Sequence, residues 1–236
     1  VGSEMCIRDS AYCLDGPYDE GKGLLFDKKK PLLDIYAKAV TGQSVWGTQN
    51  PEGSFYKARV VQDHFDWGKD CNPLVPMEDL VIYELHVRGF TRHASSGVSH
   101  PGTFSGIMEK IPYLKELGVN AVELMPIFEF DEMKDSREAD GKTLIDYWGY
   151  NPVSFFAPNT SYAAEIEYNR EGTELKELIR ALNQNGIECF LDVVFNHTAE
   201  GNKQGPCFSF KGFDNNIYYM LTPNGYYYNY LSLIHI

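Results

Sequence analysis

The stretch LDVVFNHTAE, Leu191 to Glu200, begins with apolar and β-branched residues of the kind that pack inside a protein and ends in Asn196, His197 and Thr198. Asp192 can pair with a cation or serve as acid, base or nucleophile. His197 can bond a ligand, and Asn196 offers both a donor and an acceptor. Strand alternation puts Asp192, Val194 and Asn196 on one face and His197 on the other, unless the strand has already ended. Each residue also has a plainer role. A lone strand-end histidine is more often structural than a ligand or base, and a lone strand aspartate is more often an ion-pair partner than a nucleophile. A buried Asp192 needs hydrogen bonds or a cation. A transition-metal site here is disfavoured, because asparagine is a poor ligand for such ions and no further His or Cys lies nearby in sequence.

A second stretch, DYWGYNPVSFFAPNTSY, sets Tyr147, Trp148 and Tyr150 beside Asp146. Rings next to a carboxylate suit a sugar, whose apolar faces stack on aromatics while its hydroxyls take hydrogen bonds. Loop packing accounts for the same rings, since aromatics bury large areas wherever they sit. The run Tyr218, Tyr219, Tyr226, Tyr227, Tyr228 and Tyr230 is open in the same way, as a glucan surface or a folded loop. The acidic run from Glu165 to Glu177 reads as solvated helix and loop faces.

The elements that must position these residues alternate. LVIYELHV reads as a strand. MEKIPYLKEL reads as a helix with Ile107, Ile111, Leu114 and Leu117 on one face, Pro112 in an early or kinked turn, and Gly118 as its cap. VNAVELMPI is the next strand. TELKELIRALNQNG is a helix started by Thr173 and stopped by Gly186, and IECFLDVVF is the third strand. Strand–helix–strand repeats imply parallel β/α units whose strand C-termini share one end, where such folds hold ligands. The connection from Pro126 to Gly172 is far longer than such loops need, which marks it as functional. Residues 11–66 are turn-rich with short apolar runs, as in a small β module. Residues 67–79, punctuated by Asn-Pro and Pro, read as a linker to the unit at 80–230.

The two ends are related at the DNA level. Glu4–Ser10, back-translated and reverse-complemented, encodes LSLIHI, the sequence of Leu231–Ile236. Inverted copies of one short element resemble a transposon-derived library adapter. Residues 1–10 and 231–236 are therefore expected to be non-native, and the native piece to be open at both ends.

With 236 residues and 43% hydrophobic content the chain can bury a sizeable core. Its net charge of −12 disfavours nucleic acid and anionic membranes as partners. No apolar run reaches the roughly 18 residues of a membrane span. Apart from Cys6 in the adapter-like end, Cys13, Cys71, Cys189 and Cys207 are scattered without C-x-x-C spacing, and read as reduced, mostly buried thiols.

VIYELHVRGFT, GTFSGIMEKIPYLKELGVNAVELMPI, DYWGYNP and LDVVFNHTAEG, in this order, resemble the α-amylase superfamily of glycoside hydrolases in its isoamylase and glycogen-debranching branch. The stretch GFDNNIYYMLTPNGYYYNY is similar to debranching enzymes rather than ordinary amylases. KKKPLLDIYAKAVTGQ resembles the end of the glucan-binding β-sandwich that precedes such barrels, with Ile35 where that pattern has proline.

The resemblance implies an α/β fold. It would be the first part of a (β/α)8 TIM barrel, about strands 1 to 3 with the long loop after strand 2, preceded by the C-terminal part of a β-sandwich. It implies hydrolysis of α-1,6 branch linkages in glycogen, amylopectin or limit dextrin by a retaining two-carboxylate mechanism. In this reading Tyr150 stacks on the sugar at the cleaved bond and His197 bonds that sugar. Asp146, which stands where asparagine is expected, and Trp148 complete the substrate-binding set. Asp192 braces the floor by pairing with an arginine from outside the chain, and Asn196 matches a calcium ligand of many amylases, an ion that debranching members do not uniformly keep, so the resemblance implies no required cofactor and leaves calcium open. The nucleophile and the acid/base are expected beyond Tyr230, so this piece by itself is expected to be inactive. The compartment implied is cytoplasmic, or plastid in a photosynthetic eukaryote. A branching enzyme, an amylase or a non-catalytic glucan-binding relative would carry similar motifs.

Overall fold

The computed structural model describes residues 8–42, 45–48, 55–62, 64–69, 72–134, 136–165 and 170–228. Toward the N-terminus lie four two-residue strands: β1 (Asp9–Ser10), β2 (Tyr18–Asp19), β3 (Leu24–Leu25) and β4 (Ala58–Arg59). β1 pairs antiparallel with β4 and β2 with β3, and single bridges join Tyr12 to Leu32 and Val40 to Ala58. The region is turn-rich, as its Gly, Pro and Asn content predicts, and its ladders among the described residues are shorter than ordinary strands. Asp9 and Ser10, in the adapter-like end, join β4 through backbone groups that any sequence carries. The small apolar residues Leu33, Ala37, Val40 and Ala58 pack on Val153, Ala157 and Ala199 from the later part of the chain.

From residue 80 the order is β5 (Ile82–Leu85), α1 (Val87–Arg92), α2 (Phe104–Met108), α3 (Ile111–Glu116) and β6 (Ala121–Leu124). It continues with β7 (Arg137–Ala139), β8 (Lys142–Leu144), α4 (Arg170–Gln184), β9 (Glu188–Leu191) and α5 (Phe210–Tyr218). β5, β6 and β9 form one parallel sheet in that order, with Leu85, Leu124 and Leu191 in register at its C-terminal end. β6 is central, and Ala121, Val122 and Leu124 are fully buried. Leu178 and Leu182 of α4 and Leu114 of α3 close over it; each such side chain contributes roughly 1.5–3 kcal/mol by leaving water. Among the described residues no helix is long and apolar enough to cross a membrane.

Several expectations need correction. Within this chain β9 is the last strand of its sheet, and Leu191 and Val193 are 38% and 39% exposed. β9 also ends one residue before Asp192, so strict alternation does not govern Asp192, Asn196 and His197. The single expected helix is two short ones, with Pro112 tolerated in the first turn of α3. Leu117 is exposed, because the turn at Gly118 (φ +78°) rotates it outward and brings in Val119. α4 begins at Arg170, before Thr173.

Glu171 and Glu174 are buried, not solvated. Glu174 accepts from the Ala164 and Glu165 amides and from Ser105 Oγ, replacing its lost water with fixed donors. The Arg59 guanidinium lies 3.8 Å from Glu171. Cys13, Cys189 and Cys207 are free, but Cys13 is exposed and the other two are half-buried; Cys71 lies outside the described residues.

Candidate functional site

The chain leaving β6 runs outward, makes the β7–β8 hairpin on an Asp140-Gly141 turn with both φ angles positive, and returns across the sheet end. Asp146 is fixed on this return by the hydrogen bond that its backbone N–H donates to the Glu132 carbonyl (2.8 Å). Its Oδ1 accepts from the Trp148 amide at 3.1 Å and, more weakly, from that of Gly149 at 3.5 Å. Asp146 thus shapes the turn that presents the rings. Gly149 has φ +81°, and a Cβ there would lie 2.7 Å from the Phe130 ring, so only glycine fits.

The turn aims Tyr150 at the end of β9, where its hydroxyl donates to Asp192 Oδ2 at 2.5 Å. Burial, and then the bond to Asp192, push the Tyr150 phenol well above its usual range, so it remains a donor. Trp148 is largely exposed, and its ring meets that of Tyr150 edge to face at 6.2 Å. Asp146, Trp148 and Tyr150 line one cleft of about 390 Å³ with Arg137 at its rim.

His86, one residue past β5, holds the same turn from the other side and was not singled out from the sequence. Its Nδ1 accepts from the Arg88 and Gly89 amides, both at 3.1 Å, so the ring proton lies on Nε2 and is donated to the Tyr147 carbonyl at 2.6 Å. The imidazole also stacks on the Tyr147 ring, with centroids 4.1 Å apart and planes at 12°. Burial lowers its pKa, with Arg88 adding to the shift and the bond to Tyr147 opposing it. The available signal was the one that drew attention to His197: a histidine directly after a strand.

Beneath the turn, Glu132 is fully buried and neither carboxylate oxygen makes a well-formed hydrogen bond. Burial raises its pKa to about 7, although the nearby Asn159 side chain and Gly47 backbone pull the other way.

The structure joins Tyr150 to Asp192 and places Trp148 and Asp146 with them. Asn196 is exposed and His197 half-buried in the irregular stretch after β9, and among the described residues no hydrogen bond ties either to that group. Among the described residues no three carboxylate, His or Cys side chains converge as a metal site. The loop beyond is internally satisfied. Buried Glu200 accepts from the Phe208, Ser209 and Lys211 amides and from the Tyr219 hydroxyl, and Tyr227 donates to Asn215. Tyr219 and Tyr227 are therefore loop-packing residues, Tyr218, Tyr226 and Tyr228 are exposed, and Tyr230 lies outside the described residues.

Comparison with known proteins identifies the family. The family described as alpha amylase, catalytic domain, matches residues 82–223. The chain is 43% identical over 229 residues to isoamylase 1, chloroplastic, of Arabidopsis thaliana, covering 93% of this chain and 29% of that protein. It is 37% identical to the glycogen debranching enzyme of Dickeya chrysanthemi, covering 92% of this chain and 34% of that one. The solved Group B Streptococcus pullulanase SAP in complex with maltotetraose is similar at 32% identity and a TM-score of 0.59, covering 74% of this chain and 24% of that one. The chain thus spans about a third or less of these relatives, and the likeness supports a TIM-barrel-type α/β fold. By the matched domain and these identities, the chain belongs to the alpha-amylase family, in its isoamylase and glycogen-debranching branch.

Proposed function

We propose that the whole protein hydrolyses α-1,6 branch linkages of glycogen- or starch-like glucan, and that this chain supplies the floor on which the branch sugar rests. The observation that carries the reading is the Tyr150–Asp192 bond, which fixes an aromatic ring and a carboxylate together at the C-terminal end of a parallel sheet. Tyr150 stacks on the sugar, Trp148 offers a second ring, His197 bonds the same sugar, Asp146 shapes the turn, and Asp192 and Asn196 support the floor. Retaining chemistry needs a nucleophile and an acid/base about 5–5.5 Å apart. Asp146 and Asp192 are each held by this chain's own donors and act as positioning groups; the bond-breaking pair belongs to the segment beyond Tyr230. Residues 11–66 are read as the end of a glucan-binding β-sandwich, 67–79 as its linker and 80–230 as the first portion of the barrel.

The test is to incubate the whole protein with amylopectin and resolve the products. Linear chains with new reducing ends, and none from this chain alone, are expected. Transfer of chains without new reducing ends would replace hydrolysis by branching. Release by this chain alone would overturn the placing of the catalytic pair.

A further inference from the structure

We infer that a groove between Phe156 and the first turns of α4 is a second α-glucan site, which takes a linear stretch of the same polymer away from the Tyr150 cleft. The inference rests on the proposed reading for the identity of its ligand.

Tyr36 and Phe156 are 68% and 52% exposed, yet their rings stack at 5.8 Å with planes 27° apart. Two large rings side by side and open to water form a shallow platform, the surface on which the apolar faces of consecutive sugars can lie. The backbone beneath is fixed: Asp34 Oδ1 accepts from the Tyr36 amide at 2.9 Å, and Ser154 Oγ donates to the Ala37 carbonyl at 3.2 Å. The platform is therefore preorganised, which limits the ordering cost of binding.

Phe156 continues into a cleft of about 320 Å³ whose apolar wall includes Phe65 and Leu175 and whose polar groups include Gln62, His64 and Thr173. Phe65 is held in place by the Arg180 guanidinium, 4.9 Å from its centroid, and by the Trp67 ring at 4.7 Å. Among the described residues its lining includes Lys38 and Lys176 and no carboxylate. Rings flanked by an amide, an imidazole and a hydroxyl match an uncharged polyol with apolar faces. The two lysines among the cleft's described lining residues disfavour a cation.

Location supports the same ligand. Phe156 belongs to the excursion after β6 that also carries Trp148 and Tyr150. α4 runs back along the sheet, so its first turn lies at the end where the strands finish. One long glucan chain can thus meet both places from the same side.

The test uses the whole protein in native gels containing glycogen, which report binding whether or not bonds are cleaved. The paired variant Tyr36→Ala with Phe156→Ala is expected to weaken retention by glycogen about tenfold, to leave kcat on a short branched oligosaccharide unchanged, and to melt like the parent. Phe156→Tyr keeps the ring and is expected to keep binding. Tyr150→Ala is expected to lose turnover while still being retained. Equal retention of the parent and the paired variant would overturn the second site, as would a parent that glycogen does not retain. Loss of retention in the paired variant, in a parent that releases no linear chains, would uphold this site and reject the debranching reading.

Discussion

The Tyr150 hydroxyl donates to the Asp192 carboxylate at 2.5 Å, binding the excursion after β6 to the end of β9 across 42 residues of sequence. Tyr150→Phe removes the donor and keeps the ring. It is expected to cost about 1–3 kcal/mol of stability, as for a hydrogen bond to a charged group. Urea midpoints of Tyr150→Phe, Asp192→Asn and the double variant check this. Strict additivity would mean the two residues are not coupled.

Gly149 is expected to tolerate no side chain. Gly149→Ala places a Cβ at φ +81° and 2.7 Å from the Phe130 ring, which is expected to cost about 2–4 kcal/mol. The melting temperature should drop, and the intrinsic fluorescence of Trp148 should shift as the turn moves. An unchanged melt would show that the ring yields freely.

His86 carries a lowered pKa because it is buried. Below the ordinary histidine value the unfolded chain takes up a proton that the native state resists, so this contribution to stability is lost as pH falls from about 6.5 toward the folded pKa. In His86→Gln the decline in stability over that window should flatten. Parallel profiles for parent and variant would place the acid sensitivity elsewhere.

Glu132 acts with the opposite sign. Its folded pKa of about 7 lies above that of the unfolded side chain, so stability is lost as pH rises from about 4.5 to 7. Glu132→Gln is expected to raise stability at pH 8 by at most about 3 kcal/mol, by the linkage of pKa to free energy, and to change little at pH 5. Denaturant midpoints at the two pH values decide the matter.

The free thiols should separate by reactivity. Burial pushes Cys189 up to about 12, while Cys13 is exposed. A thiol reagent at neutral pH should modify Cys13 quickly and Cys189 only after unfolding. Equal rates would contradict the packing of β9 against α4.

Local periodicity was enough for the sequence to determine that the parallel strands end together, that glycines at 118 and 186 stop the helices, and that Asp146, Trp148 and Tyr150 share one turn. Each of these depends on residues a few positions apart, where spacing alone dictates which side chains face the same way. The motif set likewise carried the family.

Only the tertiary structure decided the rest. It set His86 against the Tyr147 carbonyl 61 residues away, and buried Glu174 under three donors. Distant pairings of this kind depend on the path of a long loop. Whether a carboxylate is solvated or enclosed depends on which donors that path brings to it, and no local pattern records either.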